Sequence, residues 1–381
     1  MKKILFQKLF SDYMIFLLLA LISTSIVIWV FQAVNYLDIM IEDGRDLWVY
    51  INFSLLNFPK IVSKIFPFVL FFSLFYVTTK YELNNELIIF WNFGVHKIQI
   101  VNFVLKFSLF LLFVQLVLTS IIVPKAQDKA RYFLRSSTVN FLDNFIKPQK
   151  FNDTIKDVTI YSDKKDKEGN LYNLYLKKRI GSHEFQITYA RKGVFKENGN
   201  KPVLILYDGA TISSKNKNIT NISFSKSDFS LANLETNTTT YKKTQEISSS
   251  KIIKCIYYFY NLGNVQFKMN SKNIENCSEK NMKNILKEFY KRFIIPLYLP
   301  ILSLLSMILI IQSKENSNYN RIRLITFVFG ISTIIFSETT IRFVDQARIN
   351  NLSLILIPII FLLTIYFVLF YKFKINPKNY N

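Results

Sequence analysis

The chain has 381 residues, of which 50% are hydrophobic and 37 are phenylalanine, and its formal net charge is +22. In a soluble protein such a charge would suggest nucleic-acid binding. No arginine and aromatic stripe or nucleic-acid module accompanies it, and Lys, Asn, Ile, Phe and Tyr are frequent together, as in proteins from AT-rich genomes. Nucleic acid is therefore not expected as a partner.

Six long apolar runs, three before residue 124 and three after residue 290, are the dominant feature of the chain. Backbone N–H and C=O groups have no partner in hydrocarbon, so runs of about 20 apolar residues are most readily satisfied as membrane-spanning helices. The pattern predicts a helical membrane protein of 3 + 3 organisation. The predicted spans are residues 14–34, 56–79, 107–123, 293–312, 324–344 and 352–371.

The first span follows Lys2, Lys3 and Lys8, which resembles the start of a signal peptide. Residues 13–37 carry no charge, which is longer than the apolar region of a signal peptide, and no small-residue cleavage site follows. We expect an uncleaved membrane span.

The basic residues of the short loops predict the orientation, because cytoplasmic loops carry an excess of Lys and Arg. The N-terminus, the loop 312–323 and the C-terminal tail are all basic, and the first outer loop is acidic. Both termini are therefore predicted in the cytoplasm. The domains are predicted as membrane helices in 1–123, an outer domain in 124–285 and membrane helices in 286–381.

The middle of the chain reads as β structure, with no useful helical period before about residue 280. Short β-branched or aromatic runs alternate with turn signals such as Gly181-Ser182 and Asp208-Gly209. Because the short runs are evenly spaced and no βαβ pattern occurs, the sequence favours an all-β, jelly-roll-like domain outside the membrane. The predicted strands are residues 158–160, 171–176, 184–190, 201–207 and 222–229.

Two cysteines, Cys255 and Cys277, fall in this domain. They could pair in an oxidising compartment, but two cysteines do not make a disulfide framework, so we expect two unpaired thiols.

The chain carries no recognisable catalytic or cofactor motif. It has no phosphate-binding glycine loop, and its two histidines, His96 and His183, are predicted on opposite sides of the membrane. We therefore expect no catalytic residues, no metal site and no cofactor, and a chain that is not an enzyme.

The cytoplasmic loop of residues 81–94, here called the coupling loop, is predicted to form an amphipathic helix of three turns. Leu83, Leu87, Phe90 and Trp91 recur at helical spacing and Gly94 stands where a helix would stop. It is either an interfacial helix that anchors two spans or a helix that docks into a cytoplasmic ATPase. In the second case Glu82 and an exposed Glu86 would form its polar face.

Two charged pairs lie at membrane boundaries. Glu338 and Arg342, in span five, are four residues apart and would share a helix face, with Asp345 one turn on. They either face a cavity or partner, or mark the frayed end of the span in the headgroup layer. Glu288 and Arg292 form a similar pair before span four.

The spans, the coupling loop, the β domain and the charged pairs, taken in their order along the chain, resemble the LptF/LptG family of lipopolysaccharide export permeases. The resemblance covers nearly the whole chain. The coupling loop, with Glu86 before Gly94, is similar to the family's Ser-Glu-Leu…Gly helix, although Asn85 replaces the usual serine. The spacing of Glu288, Arg292 and Pro296, the segment 204–209 and the strand 224–231 also resemble family motifs. The first outer loop, 36–44, is more similar to that of LptF than to that of LptG.

The resemblance implies a permease subunit of an inner-membrane ABC transporter. Its partners would be a dimer of LptB-like ATPase subunits, an LptG-like homologous permease, an LptC/LptA-like periplasmic bridge protein and lipopolysaccharide. Spans one and five would form a lateral gate for the lipid. The implied site residues are Glu82, Glu86, Leu87, Phe90 and Gly94 for ATPase coupling, and Trp29, Phe31, Gln32, Glu338 and Arg342 for the lipid path.

Two other classes remain open from the residues alone. An inner-membrane scaffold or sensor with an outer β domain would show the same apolar pattern. A permease similar to FtsX or MacB would place its large domain after span one, whereas the runs here place it after span three.

Overall fold

The computed structural model describes residues 2–41, 47–136, 148–155, 158–166, 169–179, 184–198, 201–215, 218–230, 242–261 and 274–375. Two compact units divide the chain. The first, called the membrane unit, comprises Met1–Val30, Asn57–Asp128 and Tyr241–Asn381, and the second comprises Phe31–Leu56 and Lys129–Thr240.

Six helical stretches of the described chain are long and apolar enough to cross a membrane, which confirms the predicted 3 + 3 arrangement. Each extends past its apolar run, because amphipathic turns continue the helix at one or both ends. The stretches are Lys2–Leu37, Leu47–Leu83, Lys97–Phe133, Glu279–Ile311, Tyr319–Phe343 and Asn351–Lys374.

The helices are numbered in chain order, with irregular turns between several of them. The α-helices are α1 (Lys2–Ile41), α2 (Leu47–Leu83), α3 (Glu86–Asn92), α4 (Lys97–Val117), α5 (Val123–Ser136), α6 (Ser249–Asn261), α7 (Met282–Phe289), α8 (Tyr298–Ser306), α9 (Tyr319–Thr339) and α10 (Arg348–Phe370).

Span four is the centre of the membrane unit. Within its most apolar stretch 83% of the residues are buried, against 17% in span one and 11% in span six. It packs against α4, α9 and α10. It is also the most irregular span, with a π-turn at Tyr290–Ile294 and a 3₁₀ turn at Ile295–Leu297 that contains Pro296, a residue without an N–H for the helical ladder.

The second unit contains an antiparallel sheet of six described strands in sequential order, which confirms the inserted β domain. Each strand pairs only with its chain neighbours in this sheet, a meander rather than the crossed connections of a jelly roll. The predicted strands are all present and longer than expected, and β1 is additional. The strands are β1 (Phe151–Ile155), β2 (Val158–Lys165), β3 (Leu171–Arg179), β4 (Phe185–Asn198), β5 (Lys201–Lys215) and β6 (Asn218–Ser230).

The turn predicted at Asp208-Gly209 is wrong, because β5 continues through both residues. Asp208 has φ 50°, a left-handed conformation that Asp tolerates better than most residues. A Cβ on Gly209 would lie 2.0 Å from the Tyr189 carbonyl oxygen of β4, so only glycine fits. The pair therefore kinks a continuous strand. The turn signal at Gly181-Ser182 lies outside the described residues.

The segment between β6 and span four differs most from expectation. Helix α6 occupies residues that were predicted to lack helical structure, because its many Ile and Tyr residues are typical of strands. Cys255 of α6 and Cys277 form a disulfide, so the prediction of two free thiols is wrong. Residues from Tyr241 onward group with the membrane unit.

Candidate functional site

The coupling loop is built from the end of α2 and the short helix α3. Helix α2 ends at Leu83. Asn85 has a left-handed φ of 61°, which interrupts the helical conformation before α3 begins. Gly94 ends α3 with φ 69°, and the Val95 N–H donates to the Phe90 carbonyl at 2.9 Å. These features define a glycine-terminated helix. The loop is therefore two short pieces joined by a sharp break, and not one helix of three turns.

The inner face of α3 is buried as the sequence predicted. Leu87 is 2% exposed and Phe90 is 3% exposed. The Phe90 ring lies 6.2 Å from that of Phe6 in α1 and 6.3 Å from that of Tyr81 in α2, measured between centroids. Leu83 is instead exposed, because it belongs to the last turn of α2 rather than to α3.

The two glutamates of the loop bind other parts of the same chain. The Glu82 carboxylate accepts a hydrogen bond from the backbone N–H of Lys314 at 2.9 Å, in the loop after span four. The Glu86 carboxylate lies 3.9 Å from the Lys8 ammonium of α1 and is half-buried. The expectation of an exposed Glu86 is therefore wrong, because a cation distant in sequence covers it.

Further contacts hold both ends of the coupling loop. The Lys2 ammonium donates to the Gly94 carbonyl at 2.9 Å, and the Lys314 ammonium donates to the Leu83 carbonyl at 3.0 Å. The Tyr81 hydroxyl donates to the carboxylate of Asp12 in α1. The loop is thus fixed to α1 on one side and to the loop after span four on the other.

The outward surface of the coupling loop is apolar, which the sequence reasoning missed. Leu83, Ile88, Ile89 and Phe93 each expose between 44% and 47% of their surface. A cluster of this kind on a rigid loop is typical of a protein contact. The adjacent pair Ile88-Ile89 was the available signal, because at 100° per residue these positions lie 100° and 200° from Leu87, away from the face that Leu87 and Phe90 share. We call these four residues the apolar patch.

Arg292 forms the second ordered constellation. Its side chain is 3% exposed, and its Nε donates to the Glu288 carboxylate at 3.0 Å, so the predicted pair is present. Nη1 donates to the Ile247 carbonyl at 2.8 Å and to Ser249 Oγ at 3.0 Å, and Nη2 donates to the Gln245 carbonyl at 3.0 Å. The arginine therefore ties the segment before α6 to the start of span four.

A polar cavity of about 680 Å³ lies beside this constellation. Its lining includes Lys243, Lys280, Lys287 and Lys291, with Glu288 as the carboxylate among its lining residues. Glu288 is already bound by Arg292. The cavity is accordingly rich in positive charge, which suits an anionic group.

The predicted pairing at the outer end of span five is not formed. Glu338 and Arg342 are both exposed and make no ion pair with each other within 4.0 Å among the described residues. The helix changes to 3₁₀ geometry at Thr340–Phe343, where residues four apart no longer share a face. Asp345 lies 3.5 Å from Lys283, and the Gln346 backbone N–H and the Lys283 charge lower the pKa of its carboxyl.

The remaining gate residues lie in span one and have mixed exposure. Trp29 is half-buried, Phe31 is 71% exposed, and the Gln32 side-chain oxygen accepts a hydrogen bond from the Tyr36 hydroxyl at 3.2 Å. Span five also borders an apolar groove of about 560 Å³ shared with span six, lined in part by Phe329 and Ile360.

The fold defines a multi-pass membrane protein with six spans, a β domain inserted after the third span and a fixed loop between spans two and three. The profile of the family described as "Lipopolysaccharide export system permease LptF/LptG" matches residues 8–372. The chain belongs to the LptF/LptG family, whose members are transport permeases and not enzymes. It is also 23% identical to the uncharacterized protein RP871 of Rickettsia prowazekii (strain Madrid E), over 90% of this chain and 91% of the relative.

Proposed function

We propose that this chain is one permease subunit of an ABC transporter that extracts lipopolysaccharide from the inner membrane and delivers it to a periplasmic bridge. The observation that carries the proposal is the coupling loop. It is held to α1 and to the loop after span four, yet its apolar patch is exposed in the described chain. A fixed loop with an apolar outer surface is suited to transmit force from a bound partner.

The partner at the patch is proposed to be a cytoplasmic ATPase subunit, one of an LptB-like pair. Ile88, Ile89 and Phe93 would enter an apolar groove of that subunit. Glu82, Glu86, Leu87, Phe90 and Gly94 would act in coupling by holding the shape of the loop. Because Glu82 binds the loop after span four, closure of the ATPase pair would move span four together with span two.

The lipid is proposed to enter beside spans one and five, at a cavity shared with a homologous LptG-like permease. Exposure of acyl chains to water costs about 0.8 kcal/mol per CH₂, so a lipid needs a continuous apolar route out of the bilayer. Phe31 and the groove at Phe329 and Ile360 offer apolar surface for that route. Trp29, Gln32, Glu338 and Arg342 complete the proposed lipid path.

The phosphates of the lipid would bind at the lysine-rich cavity beside Arg292 or at Arg342. The cavity offers four ammonium groups and a carboxylate that is already paired. Charge-assisted hydrogen bonds to phosphate are strongest where water is scarce.

The orientation is proposed with both termini in the cytoplasm and residues 124–285 in the periplasm. The basic short loops support it, and so does the disulfide between Cys255 and Cys277, because disulfides persist in oxidising compartments such as the periplasm.

The β domain would continue the route of the lipid. Strand β6 is an edge of the described sheet and exposes Ile219 and Ile222, so it could accept a strand from an LptC/LptA-like bridge protein.

Co-purification from the native membrane tests the proposal. A tagged chain extracted in mild detergent should bring down a nucleotide-binding subunit and a second protein with six spans. Recovery of the chain without an ATPase would favour the alternative, a scaffold or sensor with an outer β domain.

A further inference from the structure

Helix α6 has exposed surface that the proposed transport mechanism does not use. Ile252 and Cys255 are each 1% exposed and face the cluster that also contains Leu286 and Tyr290. Ile253 and Tyr257, by contrast, expose 47% and 60% of their surface. One side of α6 is therefore part of the fold and the rest is open.

The open part of α6 is divided into two edges of different chemistry. Ile253 and Tyr257 are four residues apart and form one edge, which Tyr260 continues one turn later. Lys251 and Lys254, both exposed, form the other edge. At 100° per residue, these two edges lie on opposite sides of the buried face. A helix that lies at a membrane surface has this arrangement, with an apolar edge toward the acyl chains and lysines toward water.

Contacts of the apolar edge fix its position at the end of two membrane spans. The Tyr260 hydroxyl donates to the Gln346 carbonyl at 3.2 Å and accepts from the Asn351 side chain at 3.1 Å. Gln346 belongs to the turn between spans five and six, and Asn351 is the first residue of span six. Ile256 and Tyr260 also line an apolar cavity of about 190 Å³ together with Leu352 and Ile355 of span six. The apolar edge is thus continuous with the surface of span six.

The lysine edge lies on the side of α6 that is turned away from the surface of span six. The disulfide fixes the helix in this orientation. Cys255 is bound to Cys277, just before the start of span four. Helix α6 also packs against α7, the first helical turns of that span. Rotation of α6 about its own axis is therefore blocked.

We propose that α6 is a membrane-surface helix whose Ile253 and Tyr257 edge is embedded in the headgroup and acyl boundary of the leaflet that borders the outer ends of spans five and six. The occupant of this surface is the lipid bilayer itself. The helix would hold the connection from the β domain to span four at a fixed depth while the spans move during transport.

Accessibility of a spin label tests this inference without any assay of transport. Both native cysteines are paired, so Ile253→Cys, Tyr257→Cys and the matched control Lys254→Cys each introduce one free thiol. The purified chain or complex, in lipid nanodiscs, is labelled with a nitroxide after the Cys255–Cys277 peptide is verified by mass spectrometry. The ratio of oxygen accessibility to nickel-chelate accessibility should be several-fold higher for the labels at 253 and 257, which would face the acyl chains, than for the label at 254.

Equal accessibility to the nickel chelate at all three positions would overturn the inference. So would protection of 253 and 257 from both reagents, since that would place a protein such as a second permease on this edge. If thiol exchange disturbs the disulfide, Tyr257→Trp and Lys254→Trp in a chain whose native tryptophans are replaced by Phe provide a second test. Lipids brominated near the headgroup should quench the fluorescence of the tryptophan at 257 and leave that of the tryptophan at 254 unchanged.

Discussion

Arg292 shows how one residue joins separate parts of the sequence. Its guanidinium uses three nitrogen atoms to bind Glu288, Ser249 and two backbone carbonyls. The spacing of Glu288 and Arg292 predicted their pairing. The contacts with residues 245–249 could not be predicted. They depend on the fold bringing this segment next to the start of span four, and no local sequence pattern encodes that proximity.

Replacement of Arg292 should destabilise the protein strongly. Arg292→Ala removes the cation from the half-buried Glu288 carboxylate and leaves the carbonyls of Gln245 and Ile247 without their donor. It should lower the free energy of unfolding by about 3 kcal/mol. Arg292→Lys should recover only part of this loss, because an ammonium cannot reproduce the planar fork. Thermal unfolding in detergent measures the effect, with the exposed Arg321→Ala as a control. Equal midpoints for Arg292→Ala and Arg321→Ala would contradict the assigned role.

Gly330 marks a close contact between span five and the ring of Phe71 in span two. A Cβ at this position would lie 2.0 Å from the ring of Phe71, which is 1% exposed and packed against Phe327. Small residues allow membrane helices to approach in this way. Gly330→Ala should therefore cost about 1–3 kcal/mol through overpacking.

The double variant Gly330→Ala/Phe71→Leu should recover part of the stability, since the shorter side chain removes the clash. Ser332→Ala, at an exposed position of the same helix, serves as the control in the same unfolding assay. A Gly330→Ala protein as stable as the control would show that the two helices are not in close contact.

At the scale of elements, the sequence predicted what depends on local pattern and missed what depends on distant partners. The spans and strands follow from apolar runs and β-branched residues. The pairing of Glu338 with Arg342 failed because the helix tightens into a 3₁₀ turn between them. Glu86 was expected to be exposed, but its partner Lys8 lies in another helix. The cysteine pair was missed because pairing depends on the distance in space.

The disulfide should contribute substantially to the stability of the region between α6 and span four. It closes a loop with a sequence separation of 22 residues. Cys255→Ala/Cys277→Ala should lower the free energy of unfolding by about 3 kcal/mol, according to the chain-entropy account of disulfides. Reduction of the unaltered protein should shift the thermal midpoint similarly and leave the double variant unchanged. An effect of reductant on the double variant would assign the shift to another cause.

At the scale of the whole molecule, the proposed topology makes a prediction about labelling. Ser214→Cys lies in the β domain and Ser317→Cys in the exposed loop between spans four and five. Because both native cysteines are paired, an impermeant maleimide added from the periplasmic side should label the first and spare the second. The reverse pattern would invert the orientation of every span.

The central claim is that the apolar patch of the coupling loop transmits the work of a bound ATPase to the membrane spans. Ile89→Asp places a charge on the patch and should preserve the fold, because Ile89 is 46% exposed. The assembled transporter should lose ATPase binding, or its lipid-stimulated ATP hydrolysis, by about tenfold or more, as expected for a central interface position. Ser317→Asp, on the same predicted side but outside the patch, should leave both properties unchanged. Full binding and stimulation with Ile89→Asp would contradict the account.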